Sequence, residues 1–351
     1  MKFSDFRKAV LTRVPVAPPE SRELLTWVDM AAEEGELPII VTPNRSMNLA
    51  DWLTAMAPAV HALVDRHGAL LFRGFDVHGA IDMERCVRAL VGEPLGYREN
   101  TSPRTVVRGN IRTSTDYPAA EAIVLHNEHS YSRMTPLRLF FHCVTPARSG
   151  GRTPIADCGR ILRRIDPAIL RRFNAKGWLY VRNFVAGFGQ SWQTVYLCND
   201  RDALESHCRE ADIDWQWFEA ERLRTLIRRP AEARHPRTGE RLWFNHILFW
   251  NLISLSADMR RMMLADFGYD GLPHNTYYGD GSEIEPDVLA EIGAAYDAER
   301  KLFDWQAGDF VVLDNMKVAH GRESYEGPRE LLFAMGQPFD QRALADWIRR
   351  Q

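Results

Sequence analysis

Two residues near the middle of this chain have the types and spacing of metal ligands. His126 and Glu128 lie two residues apart, directly after the apolar run Ile123-Val124-Leu125. Such a run predicts a buried strand, and side chains at positions i and i+2 of a strand leave the same face. We therefore expect both side chains to point into one cavity, where an imidazole nitrogen and a carboxylate oxygen supply part of a metal site.

A histidine far along the chain is expected to complete the set. His320 comes shortly after a second apolar strand pattern, Phe310 to Asp314, and is followed by a glycine. Two imidazoles and one carboxylate make the facial triad of non-haem iron(II) oxygenases, which leaves other metal positions open. A catalytic metal needs open positions for its reactants, and no catalytic residue beyond these three ligands is predicted.

Three other histidines compete for the role of ligand. His142 lies within the apolar run 137–144, where a histidine is more typical of a hydrogen-bonded core residue. His129 follows Glu128 directly and is predicted to lie on the opposite side of the strand. His246 has no second candidate ligand near it in the sequence, as His126 has in Glu128.

The composition is that of an ordinary globular protein. The chain has 351 residues, 45% hydrophobic and 26% charged, and a formal charge of −3, which argues against nucleic-acid binding through phosphate neutralisation. Its five cysteines form no Cys-x-x-Cys pair, so neither a disulfide framework nor a thiolate zinc site is expected, and a reducing cytoplasm fits best. The charged N-terminus does not resemble a signal peptide, and no segment is apolar for long enough to span a membrane.

The elements that must position the candidate ligands read as strands separated by helices. Strands are predicted at 69–75, 123–125, 137–144, 178–184 and 310–314, and helices at 51–67, 81–91, 166–177, 200–210, 256–267 and 286–303. Residues 223–244 are predicted as one hairpin that turns at Pro236-Arg-Thr-Gly239. Residues 97–117 are predicted as an irregular polar loop, and two roles for it stay open, a solvated surface loop or a wall of the pocket mouth. Residues 277–281 form a candidate lid.

Further motifs follow the candidate ligands in a fixed order. Gly150-Gly151-Arg152-Thr153-Pro154 comes after His126 and Glu128, and Gly327-Pro328-Arg329 comes after His320. Together, from about Gly68 to about Gly336, these features resemble the iron(II)- and 2-oxoglutarate-dependent oxygenases of the taurine dioxygenase superfamily. The use of Glu as the carboxylate ligand is more similar to its clavaminate synthase-like branch.

The resemblance implies a fold. A mainly β protein with helical decoration is expected, built as the double-stranded β-helix, or cupin-like jelly roll. Residues 1–351 are expected to form a single oxygenase domain, with a core over about 68–340 and an N-terminal extension over 1–50.

The resemblance also implies a cofactor, two cosubstrates and residues to bind them. Iron(II), 2-oxoglutarate and oxygen are expected. Thr153 is expected to donate to a carboxylate of 2-oxoglutarate, and Arg329 to grip the distal carboxylate through two parallel hydrogen bonds. Arg322 competes with Arg329, and otherwise is expected near the iron-side carboxylate or the substrate.

The expected reaction is hydroxylation of an unactivated C–H bond, with release of succinate and carbon dioxide. The resemblance points to an amino acid, an amino-acid derivative or a carrier-bound aminoacyl group as substrate, in natural-product biosynthesis. Related halogenases lack the carboxylate ligand, so Glu128 argues against halogenation, whereas desaturation, epoxidation and cyclisation stay open. The candidate substrate-binding residues are Ser102, Arg104, Arg112, Tyr131 and Asn245.

Two rival interpretations use the same ligands. A cupin-like zinc or manganese hydrolase or isomerase would accept this donor set, but it would need no 2-oxoglutarate and would leave Arg329 without a purpose. A degenerate jelly roll that binds a small acid or a partner protein would not require metal. An absorption band from anaerobic iron(II) and 2-oxoglutarate distinguishes the first interpretation from both rivals.

Overall fold

Strands and helices alternate along the described part of the chain. The computed structural model describes residues 25–31, 36–96, 99, 104–185, 187–219 and 222–343. The strands are β1 (Val28–Ala31), β2 (Ile39–Pro43), β3 (Ala69–Phe72), β4 (Val106–Arg108), β5 (Ile111–Thr113), β6 (Ile123–His126), β7 (Met134–Thr145), β8 (Ser149–Gly150), β9 (Thr153–Asp157), β10 (Trp178–Phe184), β11 (Ile213–Trp217), β12 (Leu223–Arg229), β13 (Glu232–Arg234), β14 (Arg241–Trp243), β15 (His274–Tyr278), β16 (Lys301–Phe303), β17 (Phe310–Asp314), β18 (Val318–Arg322), β19 (Tyr325–Glu326) and β20 (Glu330–Asp340). The helices are α1 (Leu49–His67), α2 (Gly79–Val91), α3 (Cys158–Arg164), α4 (Pro167–Lys176), α5 (Trp192–Tyr196), α6 (Arg201–Ala211), α7 (Ile247–Trp250), α8 (Ala257–Phe267) and α9 (Pro286–Glu299), with 3-10 turns at Leu25–Trp27 and Leu252–Ser254.

The largest sheet of the described residues has eight strands, in the order β1-β2-β3-β17-β7-β20-β5-β4. Its long central pair is β7 with β20, of 12 and 11 residues. Strands β1 and β2 fall in the segment predicted as an N-terminal extension, and β2 pairs in parallel with β3. The sheet therefore begins earlier in the chain than the predicted core.

Helices α1 and α2 cover one face of this sheet. Apolar side chains of α1, including Trp52 and Met56, pack on Phe72 and Phe310 of the sheet. The helix begins after Asn48, whose side chain accepts from the backbone of Asp51, and it ends at Gly68 as predicted. Burying this face stabilises the sheet and leaves its other face for the interior.

A second sheet, in the order β16-β9-β18-β6, packs against the other face of the large sheet. Ile155 and Val318 from the second sheet share one buried cluster with Phe141 and Phe333 from the large sheet. In this second sheet, His320 on β18 is the direct antiparallel partner of His126 on β6. Side chains of such partners are neighbours, so this pairing brings together two histidines that are distant in sequence.

A third sheet, in the order β11-β12-β10-β15, shares a core with helices α3 to α7 and α9 and with the outer side of the second sheet. The predicted start of α4 is confirmed, because Asp166 caps the helix and proline occupies its first turn. Among the residues that the structure describes, none of the helices has the length and apolar character needed to cross a membrane.

Three sequence predictions in these regions are wrong. Residues 223–244 do not form one hairpin, because β12 pairs with β10 and β11 while the separate pair β13 and β14 flanks the predicted turn. Residues 97–117 are not wholly irregular, since β4 and β5 pair at the edge of the large sheet. The candidate lid at 277–281 begins inside strand β15, where Tyr278 is buried.

Candidate metal centre

The structure brings the three predicted ligands together. One donor atom from each of His126, Glu128 and His320 lies within 4.8 Å of the other two, and all three residues are buried. The Nε2 atoms of His126 and His320 are 3.8 and 4.0 Å from the same oxygen, Oε2 of Glu128. Nitrogen and carboxylate ligands bind zinc-sized divalent ions at about 2.0–2.2 Å. Donors at these separations therefore fit around one such ion.

Glu128 reaches this group through a turn. Strand β6 ends at His126, and residues 128–131 form a turn in which His129 has a φ of 55°. Glu128 lies beside His126, with its Oε2 3.8 Å from Nε2 of that histidine. The predicted reason for this proximity, alternation along a strand, is wrong, because the strand does not continue to Glu128.

Asn315, directly after β17, holds the peptide of Glu128. Its Oδ1 accepts from the backbone N–H of Glu128 at 2.8 Å. Its Nδ2 donates to the carbonyls of Glu128 and Pro136, each at 2.8 Å. Asn315 is fully buried, so these three bonds are shielded from water. Sequence reasoning missed this residue, although a polar amide at the end of a buried strand signals that partners lie inside.

A backbone hydrogen bond orients His126. Its Nδ1 lies 2.9 Å from the carbonyl oxygen of Val124. A carbonyl can only accept, so Nδ1 carries a hydrogen, and Nε2 is the ring nitrogen left to face Glu128 and to bind a metal. Ligand histidines in metal sites are commonly oriented in this way.

Neighbouring groups keep the Glu128 carboxyl ionised. Arg104 donates from Nη2 to Oε2 of Glu128 at 3.0 Å, and Nε2 of His129 lies 3.4 Å from Oε1. Burial acts to raise the pKa of Glu128, but Arg104 and the nearby histidines outweigh burial and hold that pKa well below its usual range. The prediction that His129 lies on the opposite side is wrong, since the turn directs its ring back toward the carboxylate.

His320 is held in the neutral form that a metal ligand requires. Burial, followed by the neighbouring His126, lowers the pKa of His320 well below its usual value. His246 shows the same direction of shift for the same two leading reasons. Its ring centroid is 5.4 Å from that of His126, and its Nδ1 hydrogen-bonds Oγ of Ser130 at 2.5 Å. His246 therefore lies beside the ligand group, although spacing in the sequence gave no sign of it.

Thr153 and Arg329 each have a donor group that suits a carboxylate, and Arg329 contacts Gly151, two residues before Thr153. The Oγ1 of Thr153 accepts from Nε1 of Trp305 at 2.9 Å, so the threonine hydrogen can be donated to another acceptor. Nε of Arg329 donates to the carbonyl of Gly151 at 3.2 Å, and within the described residues this is the acceptor found for that guanidinium. Burial, followed by the nearby Arg322, lowers the pKa of Arg329 to about 10. A partly buried cation without a carboxylate partner fits an anionic ligand such as 2-oxoglutarate.

Two glycines make the turn that Arg329 packs against. Gly150 and Gly151 have φ values of 67° and 68°, a backbone conformation that residues with a side chain rarely adopt. A Cβ on Gly151 would lie 3.1 Å from Cδ and Nε of Arg329. A Cβ on Gly150 would lie only 2.3 Å from the carbonyl oxygen of Ser324. Larger residues at either position would therefore displace the turn or the arginine.

Arg322, the competing arginine, is directed at the protein's own backbone. Its Nη1 donates to the carbonyl of Tyr117, and its Nη2 donates to the carbonyls of Pro118 and Glu121. The guanidinium thus anchors the segment that precedes β6. This geometry favours Arg329 over Arg322 for binding a cosubstrate.

The predicted substrate-binding residues fall in different surroundings. Ser102 lies outside the described residues. Arg104 contacts Glu128, and its guanidinium lies 4.0 Å from the ring centroid of Phe333. Arg112 is on β5, directly opposite Phe333 of β20, and so shares that face of the sheet. The substrate roles of these residues stay predictions.

Tyr131 and Asn245 lie deeper in the protein. Tyr131 is buried, with its ring centroid 5.0 Å from that of His246. The amide of Asn245 donates to the carbonyl of Ala231 at 2.9 Å and accepts from the N–H of Ile247 at 3.0 Å. Asn245 thus fixes the start of α7, and a substrate role for either residue stays a prediction.

Known relatives match most of the chain. The family model described as "Taurine catabolism dioxygenase TauD, TfdA family" matches residues 13–335. The dapdiamide synthesis protein DdaC of Enterobacter agglomerans is 36% identical over 279 residues, which cover 80% of this chain and 85% of that protein. A clavaminate synthase-like protein of Arabidopsis thaliana is 27% identical over 290 residues, which cover 78% of this chain and 83% of that protein.

A solved structure with the same overall fold is that of PvcB from Pseudomonas aeruginosa, described as an Fe, alpha-ketoglutarate dependent oxygenase from an isonitrile synthetic pathway. The match has a TM-score of 0.52 and 18% sequence identity, and it covers 88% of this chain and 92% of PvcB. At this level of identity the likeness shows the fold alone.

Proposed function

The chain belongs to the TauD/TfdA family of dioxygenases, and on that premise we propose that it hydroxylates an unactivated C–H bond of an amino acid or an amino-acid derivative. It is a non-haem enzyme that depends on iron(II), 2-oxoglutarate and oxygen. The likeness to DdaC, a dapdiamide synthesis protein, supports a place in natural-product biosynthesis. The substrate is a free molecule or an aminoacyl group on a carrier protein, and desaturation, epoxidation and cyclisation are the alternative outcomes at the same site.

In this proposal His126, Glu128 and His320 hold the iron. The observation that carries the assignment is the convergence of their three donor atoms within 4.8 Å. Iron(II), 2-oxoglutarate and oxygen, when bound, supply oxidation of a C–H bond with release of succinate and carbon dioxide. Asn315 holds the Glu128 peptide and the carbonyl of Val124 orients His126, so the ligands are positioned before the metal arrives.

Arg329 and Thr153 bind 2-oxoglutarate in the same proposal. Arg329 pairs with the distal carboxylate, and the Thr153 hydroxyl, oriented by Trp305, donates a hydrogen bond to it. Arg322 contributes by holding the segment before β6 in place.

Aromatic rings around the ligand group exclude water from the reacting atoms. The ring centroid of Phe249 is 4.5 Å from that of His126, and the ring centroid of Phe141 is 5.4 Å from that of His320. Ser102, Arg104, Arg112, Tyr131 and Asn245 are the residues proposed to contact the substrate. The protein's share of catalysis is thus orientation and desolvation.

The proposed architecture is a double-stranded β-helix. The packing of the eight-stranded sheet on the sheet β16-β9-β18-β6 supports it, as does the fold similarity to PvcB. We extend the proposal to a single oxygenase domain over the whole chain.

Anaerobic addition of iron(II) and 2-oxoglutarate tests the function. The wild-type protein should develop the visible absorption band of the iron chelate. Arg329→Gln should weaken 2-oxoglutarate binding by about 10- to 100-fold, since a hydrogen bond to a charged group contributes about 1.5–3 kcal/mol. Arg148→Gln is the matched control, because Arg148 is exposed and pairs only loosely with Glu326, at 3.5 Å.

Two results would contradict the proposal. If the wild-type band does not form, the chain is not a 2-oxoglutarate oxygenase with this site. If the protein binds metal and the Arg329 and Arg148 variants bind 2-oxoglutarate equally, the assignment of Arg329 is wrong.

A further inference from the structure

A cavity with a mainly apolar wall and several polar side chains lies beside the ligand group and has no role in the site described above. Its volume is about 250 Å³, near the lower end of small-molecule sites. His129 forms part of its wall, and Nε2 of His129 is 3.4 Å from Oε1 of Glu128. Glu99, Ser132 and His207 also line the cavity. The cavity is therefore separated from the candidate iron ligand by a single side chain.

The carboxylate of Glu99 has remaining capacity to accept hydrogen bonds in this cavity. Its Oε2 accepts from Oγ of Ser132 at 3.0 Å, and its Oε1 lies 3.5 Å from Nε2 of His207. An ionised carboxylate offers about four acceptor sites, so two neighbours do not saturate it. Glu99 is 5% exposed, which makes any unused acceptor site costly unless a ligand or water fills it.

The group on the cavity wall that suits a cation is the carboxylate of Glu99. Burial acts to raise the pKa of Glu99, but His207 and His129 outweigh it and leave the pKa below its usual value. Arg133, the guanidinium on the wall, already pairs with Asp340 through Nε and Nη2. The cavity thus presents an ionised carboxylate whose arginine neighbour is neutralised elsewhere.

We propose that Glu99 binds the protonated amine of the substrate in this cavity. The inference rests on the proposed function and adds one requirement, that the amine is free. A free amino acid and an aminoacyl group on a carrier both meet this requirement, because each keeps its amine as an ammonium ion. An N-acylated amino acid does not meet it. With its ammonium group on Glu99, the substrate lies against His129, whose ring also contacts Glu128.

Calorimetric titration with propylammonium chloride tests the cavity directly. The protein is loaded anaerobically with iron(II) and 2-oxoglutarate, and 1-propanol serves as the uncharged control ligand. Glu99→Gln should bind propylammonium about 10- to 100-fold more weakly than the wild type, because a charge-assisted hydrogen bond is lost. Glu210→Gln is the matched control, since Glu210 lies on the same wall but is exposed, and it should bind like the wild type.

Glu99→Asp keeps the charge and should bind propylammonium more tightly than Glu99→Gln does. This variant separates loss of the cation site from a general disturbance of the fold. A second measurement compares succinate release from amino acids with succinate release from their N-acetyl derivatives. The wild type should release more succinate with the free amines, and Glu99→Gln should lose that preference.

Failure of the inference and failure of the proposed function give different results. Equal propylammonium binding by the wild type and Glu99→Gln, or none by the wild type, would overturn the cation site even if the iron chelate band forms. If the band does not form, the oxygenase proposal fails, and the titration of the metal-free protein still reports on Glu99.

Discussion

Replacing Asn315 with alanine tests whether the Glu128 peptide must be held for the metal site to form. Asn315 is fully buried and would not itself touch the ion. Its amide makes three hydrogen bonds of 2.8 Å, two to the backbone of Glu128 and one to the carbonyl of Pro136. Alanine removes all three bonds and leaves the three backbone groups buried without that partner.

The expected cost follows from these bonds. A buried hydrogen bond contributes about 0.5–1.5 kcal/mol, and a buried polar group left unsatisfied costs about 1–3 kcal/mol. Three such groups give a sum of about 3–9 kcal/mol. Because a single substitution rarely costs more than about 5 kcal/mol, we expect the free energy of unfolding to fall by about 3–5 kcal/mol. Loss of a residue that orients a metal ligand typically lowers metal affinity by about 10- to 100-fold, and we expect the same range for iron(II) here.

Asn183 offers a control with the same chemistry in another sheet. Its Nδ2 donates to the carbonyls of Leu272 and Asp270 at 2.6 and 3.2 Å, and its Oδ1 accepts from Arg224 at 2.8 Å. It lies on β10, in the sheet that contains neither His126 nor His320. Asn183→Ala should therefore lose stability and keep the iron(II) affinity of the wild type.

Denaturant unfolding and anaerobic iron(II) titration measure the two effects separately. Asn315→Ala should lower both the unfolding free energy and the iron affinity. If Asn315→Ala unfolds more easily but binds iron(II) as tightly as the wild type, Asn315 stabilises the fold without positioning Glu128. The argument from hydrogen bonds to ligand position would then be refuted.

Three other substitutions have expected outcomes. Gly150→Ala should lower the free energy of unfolding by about 1–3 kcal/mol, and with it the melting temperature. The reason is that its Cβ would lie 2.3 Å from the carbonyl oxygen of Ser324, at a φ of 67°. An unchanged melting temperature would show that the turn adapts. Arg104→Ala should raise the substrate KM by about tenfold and the 2-oxoglutarate KM much less; equal increases would instead reflect its contact with Glu128. Burial lowers the pKa of His274 from 6.5 to about 4, so the unfolded state binds its proton first and stability falls as the pH drops from about 6.5 to about 4. His274→Gln should show a smaller loss of melting temperature over that pH range, and an unchanged loss would contradict this assignment.

The identities of the candidate ligands could be predicted from sequence because the motifs follow a family pattern. The reason for their convergence could not be predicted in full. His126 and His320 meet because β18 pairs with β6 in one particular register, and a pairing between distant strands leaves little trace in local periodicity. Glu128 meets them because the strand stops and a turn begins, with His129 in a left-handed conformation that is uncommon outside glycine.

Periodicity also failed where short strands joined partners other than their nearest neighbour. The run at 223–244 carries two strand signals and a good turn, which favours a hairpin. In the structure β12 instead pairs with β10 and β11, so the predicted turn serves only β13 and β14. The turn at 236–239 was therefore predicted correctly, whereas the partners of β12 follow from its burial in the third sheet.

The two arginines after His320 show why a binding residue is hard to identify from sequence. Arg322 and Arg329 both carry a guanidinium, and both follow the candidate ligand His320 closely in the sequence. They differ in what the protein itself offers them: three backbone carbonyls for Arg322, and one for Arg329 within the described residues. Every residue has a carbonyl, so the sequence does not reveal which carbonyls will reach a given guanidinium. Because Arg329 is the less satisfied of the two, it gains more from binding an external carboxylate, and this difference assigns it to 2-oxoglutarate in our proposal.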